Sequence, residues 1–382
     1  MKLQTTSLVA QAKVKSIIAR PFRPLNQRLT SRVVIKITLI VIALALFFFP
    51  LPARFVERFY TNGFYAFLQP WLTPVANFVP FAIVDLLLAV VIIGLPAWWI
   101  VSLKRAGRGR RWRAAGILAF DTLALVSVAF ITFQIFWGFN YERVPLRAKL
   151  DFDPQRVSLQ TLAELRRNVI DQLNTEAGAR QSNWPDEREW REQLHAAFNE
   201  TVRELGNRRG IAPGRPKRTL MNFYLAAAGV EGFVNPFGLE VVLESSVLPF
   251  EKPFLLAHEW GHLAGFADES EASFVGLLAC LHSDSSAIRY AGWLALYLYL
   301  PDDLQEETVR LAPEVVADLQ AIAEREARRR NATISRVQWK VYDQFLKASG
   351  VEAGVASYGL LVRLVLGTRF EQGWIPARRQ AE

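Results

Sequence analysis

The sequence predicts a mainly α-helical chain: a three-helix transmembrane anchor, then a mostly helical α+β domain with a small edge-strand sheet. Three observations carry this prediction. Three long apolar stretches fall within the first 136 residues. Beyond them, apolar residues recur mostly at helical spacing, and one segment, Leu239-Glu240-Val241-Val242-Leu243-Glu244, alternates as a strand does.

The anchor comes first in the chain. Residues 1–32 carry Lys2, Lys13, Lys15, Arg20, Arg23, Arg28 and Arg32 and no acid, a basic cytoplasmic tail. Val33 to Leu51 is almost wholly apolar. Pro50, Pro52 and Arg54 follow it where a cleavage site would need small residues, so it reads as an uncleaved first span. A second span is expected from about Phe78 to Leu103 and a third from about Ala114 to Phe136, each able to cross ~30 Å of hydrocarbon. The anchor thus occupies 33–139. Lys104, Arg105, Arg108, Arg110, Arg111 and Arg113 crowd the loop between the second and third spans, against Arg54, Arg58 and Glu57 between the first and second. That asymmetry puts the N-terminus in the cytoplasm and residues 140–382 outside. Lys36 and Asp121 fall at similar depth and are expected to pair. Asp85 lies near the outer end of its span, within reach of the headgroups.

The formal charge of +9 is uneven. Residues 1–113 carry a net +14 and the remainder −5, so the basic balance belongs to the anchor and no nucleic-acid module is expected. The single cysteine, Cys280, excludes an intrachain disulfide and a cysteine-based metal cluster.

In the domain, Leu162, Leu165, Val169 and Leu173 mark one amphipathic helix, and Trp190, Leu194, Phe198 and Val202 a second. His195 beside the second stripe has nothing nearby to complete a site. Ala287 to Leu300 is apolar on nearly all sides but too short to span, and reads as a buried helix. Residues 303–347 form helices rich in Glu and Arg, and 353–367 a last helix.

The densest chemistry lies at Ala257-His258-Glu259-Trp260-Gly261-His262, which contains His-Glu-x-x-His. On a helix His258 and His262 project from one face, spaced to grip a tetrahedral metal such as zinc. Glu259 points aside, placed to take a proton from a water at the open position. Pro253 suits the first turn and Gly265 the stop. The strand just before this helix reads as an edge strand, either an ordinary one or one whose free edge pairs with an extended peptide.

Zinc catalysis needs a third protein ligand, and three carboxylates compete. Asp268 completes His-Glu-x-x-His-x-x-Gly-x-x-Asp, similar to a metzincin helix. Glu269 opens Glu-x-x-Ala, similar to the second zinc helix of gluzincins. Glu271 is the third. Asp268 and Glu271 have capping-box spacing, which gives both structural work at a helix start and ranks Glu269 first. Ser273 stands where gluzincins often carry an acid that holds a ligand histidine. The only methionines, Met1 and Met221, offer no methionine turn downstream.

Several further stretches are Trp137-Gly138-Phe139-Asn140-Tyr141-x-Arg143, Pro236-Phe237-x-x-Glu240, Leu248-Pro249-Phe250, Glu269-x-Glu271-Ala272-x-Phe274 and Arg289-Tyr290-x-Gly292. With Gly350, Gly354, Ser357 and Tyr358, they make the chain resemble an uncharacterised bacterial membrane-protein family, a domain of unknown function with three N-terminal spans and a zincin-like domain outside the cytoplasm. Ser273 departs from that family's usual Asn. The resemblance implies a membrane anchor and a metallopeptidase-like site.

The expected activity is zinc-dependent hydrolysis of a peptide or protein outside the cytoplasm. His258, His262 and Glu269 hold the metal, Glu259 is the general base, and the Tyr358 hydroxyl is a further candidate for stabilising the oxyanion. The alternative is a non-catalytic zincin scaffold that binds a cell-envelope partner; a carboxylate at Glu259 is what such a scaffold does not need.

Overall fold

The computed structural model describes residues 25–179, 184–301 and 310–379, and the chain in it is mainly helical with one small sheet. It divides into two compact units, Met1–Phe49 with Ser102–Ile131 and Pro50–Val101 with Thr132–Glu382. Most of the basic tail lies outside the described residues.

The first unit contains α1 (Leu25–Phe48) and most of α5 (Arg111–Phe136). Lys36 and Asp121 form the expected ion pair across these helices. Phe47 and Phe130 meet edge to face, with ring centroids 6.2 Å apart.

The second unit begins with helices that the sequence pattern does not announce. Val56–Tyr65 is π-helical and runs into α2 (Ala66–Phe78). Val56, Tyr60, Tyr65, Gln69, Thr73 and Ala76 are buried, while Phe55, Phe59, Phe67, Trp71, Val75 and Phe78 are exposed. This face is tied down at three points. The Gln69 amide exchanges hydrogen bonds with Ala212, Thr73 Oγ1 donates to the Leu239 carbonyl, and the Asn77 amide pairs with Pro213 and Arg215.

The second span starts later than its hydropathy suggests. Phe78 ends α2, and the span is helical from α3 (Ile83–Ala89) through a π turn to α4 (Leu95–Arg105). Pro80 explains the break, because a proline biases the residue before it away from the helical region. Val79 accordingly has ψ of 122°. Of the described residues, Ser31–Phe48, Ile83–Arg105 and Arg108–Phe136 are long and apolar enough to cross a membrane.

The expected amphipathic helices are α6 (Leu159–Ala179) and α7 (Glu187–Glu204), and their predicted stripes are largely buried. The sheet comprises β1 (Pro216–Lys217), β2 (Gly232–Asn235) and β3 (Glu240–Leu243), with α8 (Asn222–Ala228) between the first two. Its order is β1-β3-β2, with β1 parallel and β2 antiparallel to β3. This corrects one expectation. The strand preceding the His-Glu-x-x-His helix is central, not an edge, and all four of its residues are buried. Strands buried on both faces read as apolar runs, and Val241-Val242-Leu243 is such a run. The edge is β2.

The core lies around α9 (Lys252–Leu263) and α10 (Glu269–Leu281), flanked by α11 (Ser286–Tyr299). Every residue of α10 is buried. The chain continues through α12 (Pro313–Arg329), α13 (Ala332–Ala348) and α14 (Leu360–Gly367).

Candidate metal centre

Two helices build the site, and glycines let them approach. A Cβ on Gly276 of α10 would lie 2.8 Å from the His258 backbone nitrogen, and one on Gly261 of α9 would lie 3.0 Å from Ala272 Cα. Backbone-to-backbone contact of this kind leaves the first turn of α10 beside the histidine face of α9. Gly265, at φ +84°, ends α9 and turns the chain back.

The last carbonyls of a helix lack intrahelical donors. Here Trp260 and Gly261 are met by the backbone just past the helix, and His262, Leu263 and the two residues that follow are met from elsewhere in the fold. Trp137 Nε1 donates to His262 O at 2.9 Å, the Tyr65 hydroxyl to Leu263 O at 2.9 Å, Asn207 Nδ2 to Ala264 O at 3.0 Å and Arg143 to Gly265 O at 2.9 Å. Three of these donors come from residues that lead out of the first and third spans. They fix the end of α9, and with it His262.

The three expected ligands converge. Glu269 Oε2 lies 3.2 Å from His258 Nε2 and 3.3 Å from His262 Nε2. His262 Nδ1 is 2.8 Å from the Phe266 carbonyl, an acceptor only, so Nδ1 carries the proton and Nε2 offers its lone pair inward. His258 Nδ1 is 3.0 Å from Ser273 Oγ, which in turn lies 3.3 Å from the Tyr299 hydroxyl. Ser273 therefore occupies the supporting place that its spacing suggested. Tyr342, on α13, donates its hydroxyl proton to Glu269 Oε1.

The competing carboxylates are engaged in structure. Asp268 caps α10, accepting from the backbone nitrogens of Ser270 and Glu271. Glu271 turns away and accepts from Leu146 N at 2.5 Å, and burial, reinforced by Asp268, raises its pKa to about 7. His195 bonds Asn199 and the Ile211 carbonyl, and His282 lies beside Thr201, so neither joins the cluster. The Tyr358 side chain lies outside the described residues. Of the tyrosines that surround the cluster, Tyr141 stands in the motif after the third span, whereas Tyr299 and Tyr342 carry no motif; Gln338, Tyr342 and Phe345 at helical spacing are the available signal.

Burial and the buried anion at Glu269 together set the electrostatics. Burial opposes its charge, but His262 and His258 together hold its pKa well below the ordinary value. Burial lowers the His258 pKa. It acts the same way on His262, where Glu269 outweighs it and lifts the pKa to about 9. Burial raises Glu259 to about 8. Among the described residues, Glu269 Oε2 and Glu259 Oε2 are buried without a hydrogen-bond partner. Two imidazoles with Nε2 turned inward and a carboxylate, close together and under-satisfied, are a donor set that fits a zinc ion, which would take the place of the proton on His262.

Glu259 and the cluster face a cavity of about 420 Å³ lined also by β2, Phe133, Trp137 and Tyr342. Glu259 packs tightly there, since a Cβ on Gly232 would lie 2.7 Å from its Oε1.

The fold and site define a protein with three membrane-length apolar helices and a buried His–His–Glu cluster. The chain belongs to the family described as Protein of unknown function (DUF3810), whose model matches residues 60–366. No curated protein and no solved structure matches it.

Proposed function

We propose that this chain is a membrane-anchored, zinc-dependent metallopeptidase with a zincin-like, gluzincin-type domain. The observation that carries the reading is the convergence of His258, His262 and Glu269 with a fourth group, Glu259, left free of the cluster yet facing the same cavity. A structural metal site has no use for that fourth carboxylate. Zinc held by the three residues would supply Lewis acidity to a carbonyl and to water. The chain's own residues do the rest. Glu259, facing the cavity beside the three ligands, takes the proton of the attacking water and delivers it to the departing nitrogen. The free side of β2 offers backbone groups to an extended polypeptide, and Ser273, Phe266 and Tyr342 hold the three ligands in orientation.

The charge asymmetry of the loops supports an N-terminus in the cytoplasm and a site outside it, and the proposed membrane is a bacterial inner membrane. The test is comparative. Envelope-protein fragments present with wild type should vanish in a Glu259→Gln strain and return on complementation. A Glu259→Gln protein that complements every phenotype of a deletion strain would instead favour the non-catalytic scaffold.

A further inference from the structure

The walls of the cavity carry information about the substrate. Phe133, in the last turn of the third span, lines it, and so do Met221 and Tyr224 at the start of α8 and Tyr342 and Phe345 on α13. These elements are fastened to the ends of spans. Phe345 packs against Phe133, with ring centroids 6.4 Å apart. At the second span, Asp85 accepts from the Thr219 hydroxyl and from Leu220 N. Glu240 of β3 is fully buried and accepts from Ile83 N and Val84 N, the first backbone donors of that span. Lys217 Nζ, 2.8 Å away, balances its charge. The sheet that flanks the cavity is thus bonded to the start of one span, while α13 rests on the end of another.

Beside this cavity large apolar side chains are exposed, interleaved with the exposed cations Arg218, Arg336 and Lys340. Leu220 is 85% exposed, Phe223 77%, Val337 58% and Val341 59%. None of the four lines the cavity. They belong to α8, its lead-in and α13, which are joined by the Tyr224 hydroxyl on Gln338 and by Asn331 N on the Ala227 carbonyl. Val337 and Val341 lie one turn apart on α13. Large apolar side chains left bare beside the ends of membrane helices are suited to the headgroup–acyl boundary of a bilayer.

We infer that the rim formed by Leu220, Phe223, Val337 and Val341 sits in the bilayer interface, and that the site takes polypeptides anchored in that same membrane, cut close to its surface. This rests on the peptidase reading. Confinement to the membrane raises the local concentration of an anchored polypeptide at the cavity, whereas a free peptide gains nothing from it.

The test uses the full chain in phosphatidylethanolamine–phosphatidylglycerol vesicles and two readouts. Cys280 is the sole cysteine and is buried, so a thiol dye reports an engineered position. Dye on Leu220→Cys or Val341→Cys should be quenched by nitroxide-labelled lipid, and dye on the solvated Glu192→Cys should not. The second readout compares a random peptide library in free and N-palmitoylated forms. The anchored form should be cut at least about tenfold faster, and Leu220→Glu with Val341→Glu should remove that advantage without changing the rate on the free form. Unquenched rim labels, or equal rates on both forms, overturn the inference and leave the peptidase standing. If neither form is cut above the Glu259→Gln background, the peptidase reading falls and the substrate assignment falls with it, whatever the labels report.

Discussion

Gly276→Ala tests whether close helix approach assembles the cluster. The added Cβ would lie 2.8 Å from His258 N and 3.1 Å from both Ala257 C and His258 Cα. All three are backbone atoms, so no side chain can swing aside, and α10 must shift by roughly 1 Å to restore ordinary contact near 3.5–4 Å. Alanine in a helix gains about 1 kcal/mol over glycine, but overpacking a core costs about 1–3 kcal/mol, so the net effect is destabilising. The same shift draws Glu269 away from the imidazoles it now approaches at 3.2 and 3.3 Å. Gly178→Ala is the control. Gly178 sits in α6 with nothing within 4 Å of a Cβ, so there only the helical gain remains. Thermal unfolding should fall for Gly276→Ala and rise for Gly178→Ala, and zinc retention should fall only in the former. Equal stability and equal zinc in both variants would refute the packing argument.

Other expectations follow from single contacts. Tyr342→Phe removes the donor to Glu269 Oε1 and should weaken zinc binding by about 10–100-fold in a competition titration, with the fold intact. Glu269→Gln should lose most of the zinc, whereas Asp268→Ala should keep it and lose about 0.5–2 kcal/mol of stability as a deleted cap; the reverse pattern would make Asp268 the ligand. Glu251 has its pKa raised to about 7 by burial and by Glu231, so the folded state binds more protons than the unfolded state. Its contribution is full below about pH 4.5 and is lost as pH rises through about 7, and Glu251→Gln should flatten unfolding midpoints across that window. A reporter active only outside the cytoplasm should work when fused after Arg147 and be silent at Gly107; the opposite result would invert the topology.

What the sequence made legible was whatever local spacing controls. Two histidines four apart share a helix face in any context, and the Asp268–Glu271 spacing set Asp268 as a cap, leaving Glu269 to face the imidazoles. The apolar stretches stood out for the same reason. What stayed hidden depends on contacts between distant residues. Tyr65 reaches the Leu263 carbonyl across 198 positions, and nothing near Tyr65 announces it. The Val56–Phe78 helices carry Pro70 and Pro74 and a π-helical register, which blur the usual period. β3 alternates only loosely because it is buried on both faces. Tyr342 lies on α13, where only the fold brings its hydroxyl to Glu269.

The central claim is that His258, His262 and Glu269 hold a catalytic zinc beside Glu259. Its most direct test is the metal content of the purified full-length chain, by elemental analysis of wild type, His258→Ala and Glu259→Gln. Zinc close to one per chain in wild type and in Glu259→Gln, and little in His258→Ala, is the predicted result. Wild type that binds no zinc after reloading, or His258→Ala that binds as much as wild type, would contradict it.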